Sequence, residues 1–114
     1  MKNFVLILLC PFFLIGQNYT QEFETLFLAK TYDKAIQKLE LYLSKTPQDV
    51  VLIELMGDAY GLQSNWNNAV AYYEQLLDLD PNNANYHYKY GGVLGKLAKE
   101  ERKLSGIGQI SRVK

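Results

Sequence analysis

From Tyr19 onward the apolar residues of this chain recur at steps of three and four, and prolines and small polar residues interrupt them about every dozen positions. That spacing lines one face of a helix, and no segment alternates with the two-residue period of a strand. Five helices are predicted. The first lies near Tyr19 to Lys30 with Tyr19, Phe23, Leu26 and Phe27 on one face, and the second runs from Asp33 to Ser44 with Ala35, Ile36, Leu39 and Leu43. Pro47 stops it, because proline lacks the amide that would continue the helix. The third, from about Val50 to Leu62, aligns Ile53, Met56, Gly57 and Tyr60; the fourth, Asn67 to Leu79, aligns Ala69, Val70, Tyr73 and Leu77. Asp80-Pro81-Asn82-Asn83 reads as a turn. A fifth begins near Ala84 and carries Tyr86, Tyr90, Leu94 and Leu97 before Gly106 and Gly108 break the pattern. Helices this short cannot bury their stripes singly, so they must stack and share a core.

The stacking has a period. Tyr32, Ala35, Leu39 and Pro47 reappear 34 residues later as Trp66, Ala69, Tyr73 and Pro81. Residues 50–83 place Gly57, Tyr60, Ala69, Tyr73 and Pro81 on the Gly, Tyr, Ala, aromatic and Pro positions of the tetratricopeptide (TPR) repeat, which this stretch resembles. The physics fits: Gly57 and Ala69 are small where paired helices approach, the tyrosines fill between layers, and Pro81 ends the second helix. In the same frame residues 18–49 keep Ala35 and Pro47 but put Phe23 and Leu26 at the Gly and Tyr positions, a degenerate repeat. Residues 84–114 keep Gly91, with Leu94 at the tyrosine position and Lys103 where alanine belongs, so the third hairpin departs after its first helix. The implied fold is all-α, a solenoid of antiparallel helical hairpins of about two and a half repeats. Ile107, Ile110 and Val113 have the spacing of a short second helix that ends early.

Residues 1–17 form a separate unit. Phe4 to Ile15 are apolar without a break, follow Lys2 and give way to Gly16 and Gln17, the layout of a signal peptide. A helical run of that length spans only about 18 Å of a roughly 30 Å bilayer core, and Pro11 interrupts it, so no stable membrane span is expected. Export to a bacterial periplasm or medium is the expectation, ahead of an anchored form. Cys10 has no small residue before it and the apolar run continues past it, which disfavours lipid attachment. Asn18-Tyr19-Thr20 matches a glycosylation sequence by chance.

Composition narrows the chemistry. The chain has 114 residues, one domain's worth, and a net charge of zero, so nothing calls for nucleic acid. With one cysteine there is neither a disulfide framework nor a thiolate metal site. His87 stands alone; Gly91-Gly92-Val93-Leu94-Gly95-Lys96 has its glycines one residue too close for a phosphate loop, and Leu97 replaces the needed hydroxyl. Asp78 and Asp80 belong to a turn, not to a calcium loop. No nucleophile, base and acid fall into a recognisable motif, so neither catalysis, a metal nor a cofactor is expected.

A protein or peptide partner is the expectation that remains. In the family the first helices of the hairpins line a concave groove, and the resemblance maps that face onto Thr20, Glu24, Phe27 and Leu28, then Val51, Glu54, Asp58 and Leu62, then Asn85, Tyr88 and Lys89. Acidic and apolar groups dominate, which suggests a basic or neutral segment. Thr20, Glu24 and Leu55 occupy positions where some members clamp chaperone C-termini with basic and asparagine side chains, so that ligand is not expected. Charge is also unevenly spread: no Lys or Arg lies between Lys45 and Lys89, whereas Lys96, Lys99, Arg102, Lys103, Arg112 and Lys114 crowd the end. The incomplete third repeat and this dipole leave self-association, or docking onto a larger assembly, as the alternative role.

Overall fold

The computed structural model describes residues 19–113, with side chains from 19 to 105. The expected signal segment, Cys10 and Asn18 lie outside the described residues, as do the side chains of Ile107, Ile110 and Val113. The described chain is helical throughout: α1 (19–28), α2 (Tyr32–Lys45), α3 (Val50–Leu62), α4 (Trp66–Leu79) and α5 (Ala84–Val113). Consecutive helices pack on one another, with α3 between α2 and α4, and α5 against α4. An all-α solenoid of helical hairpins is therefore what the sequence forms.

The 34-residue period is carried by the backbone as well as by side chains. Both α2 and α4 contain 14 residues and start 34 positions apart, and α3 and α5 begin at the same interval. Where α1 ends, the Lys30 and Thr31 amides donate to the carbonyls of Phe27 and Leu26; where α3 ends, Ser64 and Asn65 donate to Gly61 and Tyr60. This paired closure needs a left-handed residue, and Lys30 (φ 60°) and Ser64 (φ 59°) supply it without being glycine. At the other turn, the Asp49 carboxylate accepts from the Val51 and Leu52 amides, and the Asn83 side-chain oxygen accepts from the Tyr86 amide. Each caps the helix that follows it.

Two buried clusters meet on α3. Phe23, Ala35, Ile36 and Leu39 pack with Leu52, Leu55, Met56 and Ala59 on one side; Ile53 joins Ala69, Tyr73, Leu76, Tyr86 and Val93 on the other. A helix apolar on nearly all sides is one enclosed by its neighbours. Tyr60 bridges both, its ring stacked on Tyr72 at 5.8 Å.

The repeat that looked degenerate is compensated. In the second hairpin Gly57 leaves a notch that the Tyr73 ring fills, so a Cβ there would collide with Cε1 and stand 2.8 Å from Cδ1. In the first hairpin the equivalent pair is Phe23 and Leu39, both fully buried in one cluster. The aromatic volume has moved from the second helix to the first.

One expectation fails outright. Gly106 and Gly108 do not end the fifth helix: α5 continues to Val113, so residues 106–113 extend α5 and start no second helix of a third hairpin. A helix-interior glycine costs only about 1 kcal/mol relative to alanine, and no proline follows Pro81 to remove an amide. Strong helix formers such as Lys103, Leu104 and Gln109 carry the turn through. Elsewhere the helix ends differ from the expected ones by a residue or two, at Tyr32, Lys45, Trp66 and the close of α1.

Candidate partner-binding groove

Two of the first helices of the hairpins, α3 and α5, are joined by polar contacts whose donors come from α5, with one more from α4. Lys89 on α5 reaches back to α3, its Nζ 2.7 Å from Glu54 Oε2 and 2.9 and 3.0 Å from the two oxygens of Asp58. Asn85, one turn earlier, donates to Glu54 at 3.2 Å, and the Tyr73 hydroxyl on α4 donates to Asp58 at 2.6 Å. Glu54 and Asp58 lie one turn apart on α3, so a single ammonium can satisfy both. The group is about three-quarters shielded from solvent.

This geometry changes the electrostatic reading. Glu54 and Asp58 were expected to face a ligand as open carboxylates; instead both are tied to Lys89, and the trio carries one net negative charge. Burial alone would lower the lysine's pKa, yet the bonds to Glu54 and Asp58 and their charges outweigh it and raise the value above the usual one. For Tyr73, burial first and the Asp58 bond second push the phenol far above its ordinary range. Lys89 is therefore an ammonium and Tyr73 a phenol at any physiological pH, and the cluster is a fixed strut between α3, α4 and α5.

Around the strut the surface is concave and apolar. Phe27, Asp58, Gly61, Leu62, Trp66, Tyr73 and Val93 line a pocket of about 430 Å³ that spans α1, α3, α4 and α5. Trp66, Tyr73 and Val93 continue into a second pocket of about 560 Å³, walled by Tyr88, Lys89, Gly92 and Lys96. Trp66 and Lys96 then open onto a third, about 200 Å³, with Lys99, Glu100 and Lys103. The indole is common to all three, so the pockets form one groove hinged on it.

Five of the expected partner-binding residues line this groove: Phe27, Asp58, Leu62, Tyr88 and Lys89. Glu54 and Asn85 support it through the strut. Glu24 and Leu28 line a different depression, on α1 alone, where Leu28 is 85% exposed; Val51 is exposed and lines neither. Thr20 is exposed on α1. The sequence reading missed Trp66, Tyr73, Gly92, Val93 and Lys96. The period could have found two of them, since 34 residues carry Asp58 to Gly92 and Leu62 to Lys96. Trp66 and Tyr73 sit on a second helix, a face the resemblance did not assign to binding.

Other candidates prove local. His87 lines the second pocket of the groove, but its Nε2 lies 2.6 Å from the Pro81 carbonyl, a bond that holds the turn against α5. Asp80 accepts from the Asn83 side chain at 3.2 Å within that same turn. Among the described residues no three His, Cys, Asp or Glu side chains converge on a metal position, and no helix is long and apolar enough to cross a membrane.

Comparison with known families places this face in context. Residues 57–97 match the model of the TPR repeat, a stretch that starts at the Gly57 notch, takes in α4 and ends on α5 just past the groove lysine Lys96. No curated protein matches the chain.

Proposed function

We propose that this chain is a non-catalytic scaffold that holds a segment of another protein in the groove centred on Trp66. The observation that carries the reading is the groove itself, an apolar surface shared by four helices and braced by the Lys89 strut, within a stretch that matches a repeat typical of protein-interaction modules. Exposed Leu62 and Tyr88, the latter 80% accessible, flank it and would lose water on contact. The layout of residues 1–17 supports action outside the cytoplasm, in the periplasm or medium of a bacterium.

Affinity capture from the native envelope fraction tests the reading. Wild-type chain and the double variant Leu62→Ser/Tyr88→Ser, both surface changes, should differ in what they retain, the variant losing the partner while keeping its far-UV circular dichroism. Retention of the same proteins by both would reject the groove. N-terminal sequencing of exported material should give a mature chain starting near residue 18; a chain that still begins at Met1 would instead indicate an anchored scaffold.

A second reading rests on Gly91. Its repeat equivalent, Gly57, is filled by Tyr73, whereas a Cβ at Gly91 would meet nothing within 4 Å among the described residues. That vacancy supports docking of the α5 face onto another helix, of a second copy or of a larger assembly. Light scattering that finds a monomer at all concentrations and salt levels would remove self-association.

A further inference from the structure

We infer that the groove is read by charge as well as by shape, and that its partner is an acidic segment with an apolar side chain beside its carboxylates. This rests on the groove reading above and commits to the chemistry of its occupant.

Two of the lysines are already paired. Lys89 is consumed by Glu54 and Asp58, and Lys38 by Glu22 at 3.1 Å. Lys96, Lys99 and Lys103 are exposed, and none of them has a carboxylate within ion-pair distance among the described residues. They lie at steps of three and four, so all three project from one side of α5 within a span of about 10 Å. That side is the one that meets Trp66, since the indole, the three ammoniums and Glu100 share a pocket. Glu100 is the one carboxylate there, so the end of the groove carries a net charge of plus two.

The groove thus has two chemically different halves meeting at one indole. Toward α3 it is apolar, with Leu62, Val93 and the Tyr73 ring around a strut that is already internally paired. Toward the far part of α5 it is cationic. A strand-like peptide places alternate side chains on one face about 6.6 Å apart, so two carboxylates at alternate positions reach along most of the lysine row while an apolar side chain at the next alternate position meets Trp66 on the same face. A nucleic acid also fits lysines beside an aromatic ring. It is disfavoured because the strut leaves one negative charge on the groove floor, where a phosphate backbone continuing inward would meet it.

Trp66 is the only tryptophan of the chain, so its fluorescence reports on the site directly. The titrants are a synthetic peptide with one phenylalanine and glutamates at alternate positions, its glutamine and lysine counterparts, and an oligothymidylate of similar contour length. Expected is a saturable change in Trp66 emission with the glutamate peptide, weakening with salt, and roughly tenfold weaker binding for Lys96→Gln/Lys99→Gln/Lys103→Gln. Those lysines are exposed, so the variant should keep the wild-type urea midpoint. Equal or tighter binding of the glutamine or lysine peptide, or tighter binding of the oligothymidylate, would overturn the inference while leaving the groove intact. No response to any peptide would also overturn it, and the Leu62/Tyr88 capture experiment would then decide the groove separately.

Discussion

Replacing Gly57 by alanine isolates the contact that fits α4 to α3. In an open helix this change stabilises by up to about 1 kcal/mol, since alanine loses less backbone entropy than glycine. At Gly57 the added Cβ would collide with Tyr73 Cε1 and lie 2.8 and 3.0 Å from Cδ1 and Cζ, on a ring that is 4% exposed and pinned by its 2.6 Å bond to Asp58. The ring cannot swing aside without giving up that bond, and α4 cannot retreat without opening the cluster around Ile53 and Leu76. Overpacking of this kind costs about 1–3 kcal/mol, and a strained bond to the carboxylate adds about 1. Gly57→Ala should therefore be destabilised by about 1–3 kcal/mol net. Gly61→Ala is the control, one turn along the same helix with nothing within 4 Å of its Cβ, and it should gain about 0.5–1. Urea unfolding followed by far-UV circular dichroism resolves a gap of that size, which corresponds to roughly 10–20 °C in Tm for a domain this small. A Gly57→Ala protein as stable as Gly61→Ala would refute the claim that the notch is filled.

Ser64→Gly should raise stability by about 1 kcal/mol, because Ser64 holds a positive φ that glycine adopts without strain; an unchanged urea midpoint would contradict that account. Lys89→Met should cost about 1–2 kcal/mol by leaving Glu54 and Asp58 unpaired and adjacent, and adding Glu54→Gln should return part of the loss; a double variant no better than the single one would exclude repulsion as the cause. The raised values at Tyr73 and Lys89 also set a pH dependence. A raised group holds its full contribution below its unfolded value and loses it as pH climbs toward the folded one. Thermal stability should thus be insensitive to these two groups up to pH 10.0 and fall above it, more shallowly in Asp58→Asn; a decline already present near neutrality would require another group.

Much of the architecture was legible because its determinants are local and repeat. Proline, asparagine and the 34-residue spacing mark the turns, and the structure returns the same spacing in hydrogen bonds that no side-chain pattern displays. The site was half legible. Asp58 and Leu62 follow from register alone, but the fate of the Asp58 charge depends on Lys89, 31 residues away, reaching back across two packed helices. Such a pairing has no sequence signature. Trp66 was visible as a repeat position and hidden as a groove residue, because its role depends on α5 crossing its indole. The end of α5 was misread for a different reason: two glycines weaken a helix, whereas only a proline or a cap stops one.

The exchange of Phe23 and Leu39 for Gly57 and Tyr73 has a consequence for descent. Neither member of a pair can change alone, since a phenylalanine opposite a tyrosine overfills the seam and a glycine opposite a leucine leaves a void. Change at one position of a pair therefore favours change at the other, and a crossover between hairpins keeps each pair whole whereas one within a hairpin splits it. Counting identities between the copies makes them look distantly related. Counting rings across the facing positions makes them kin, since each pair supplies one, from opposite helices.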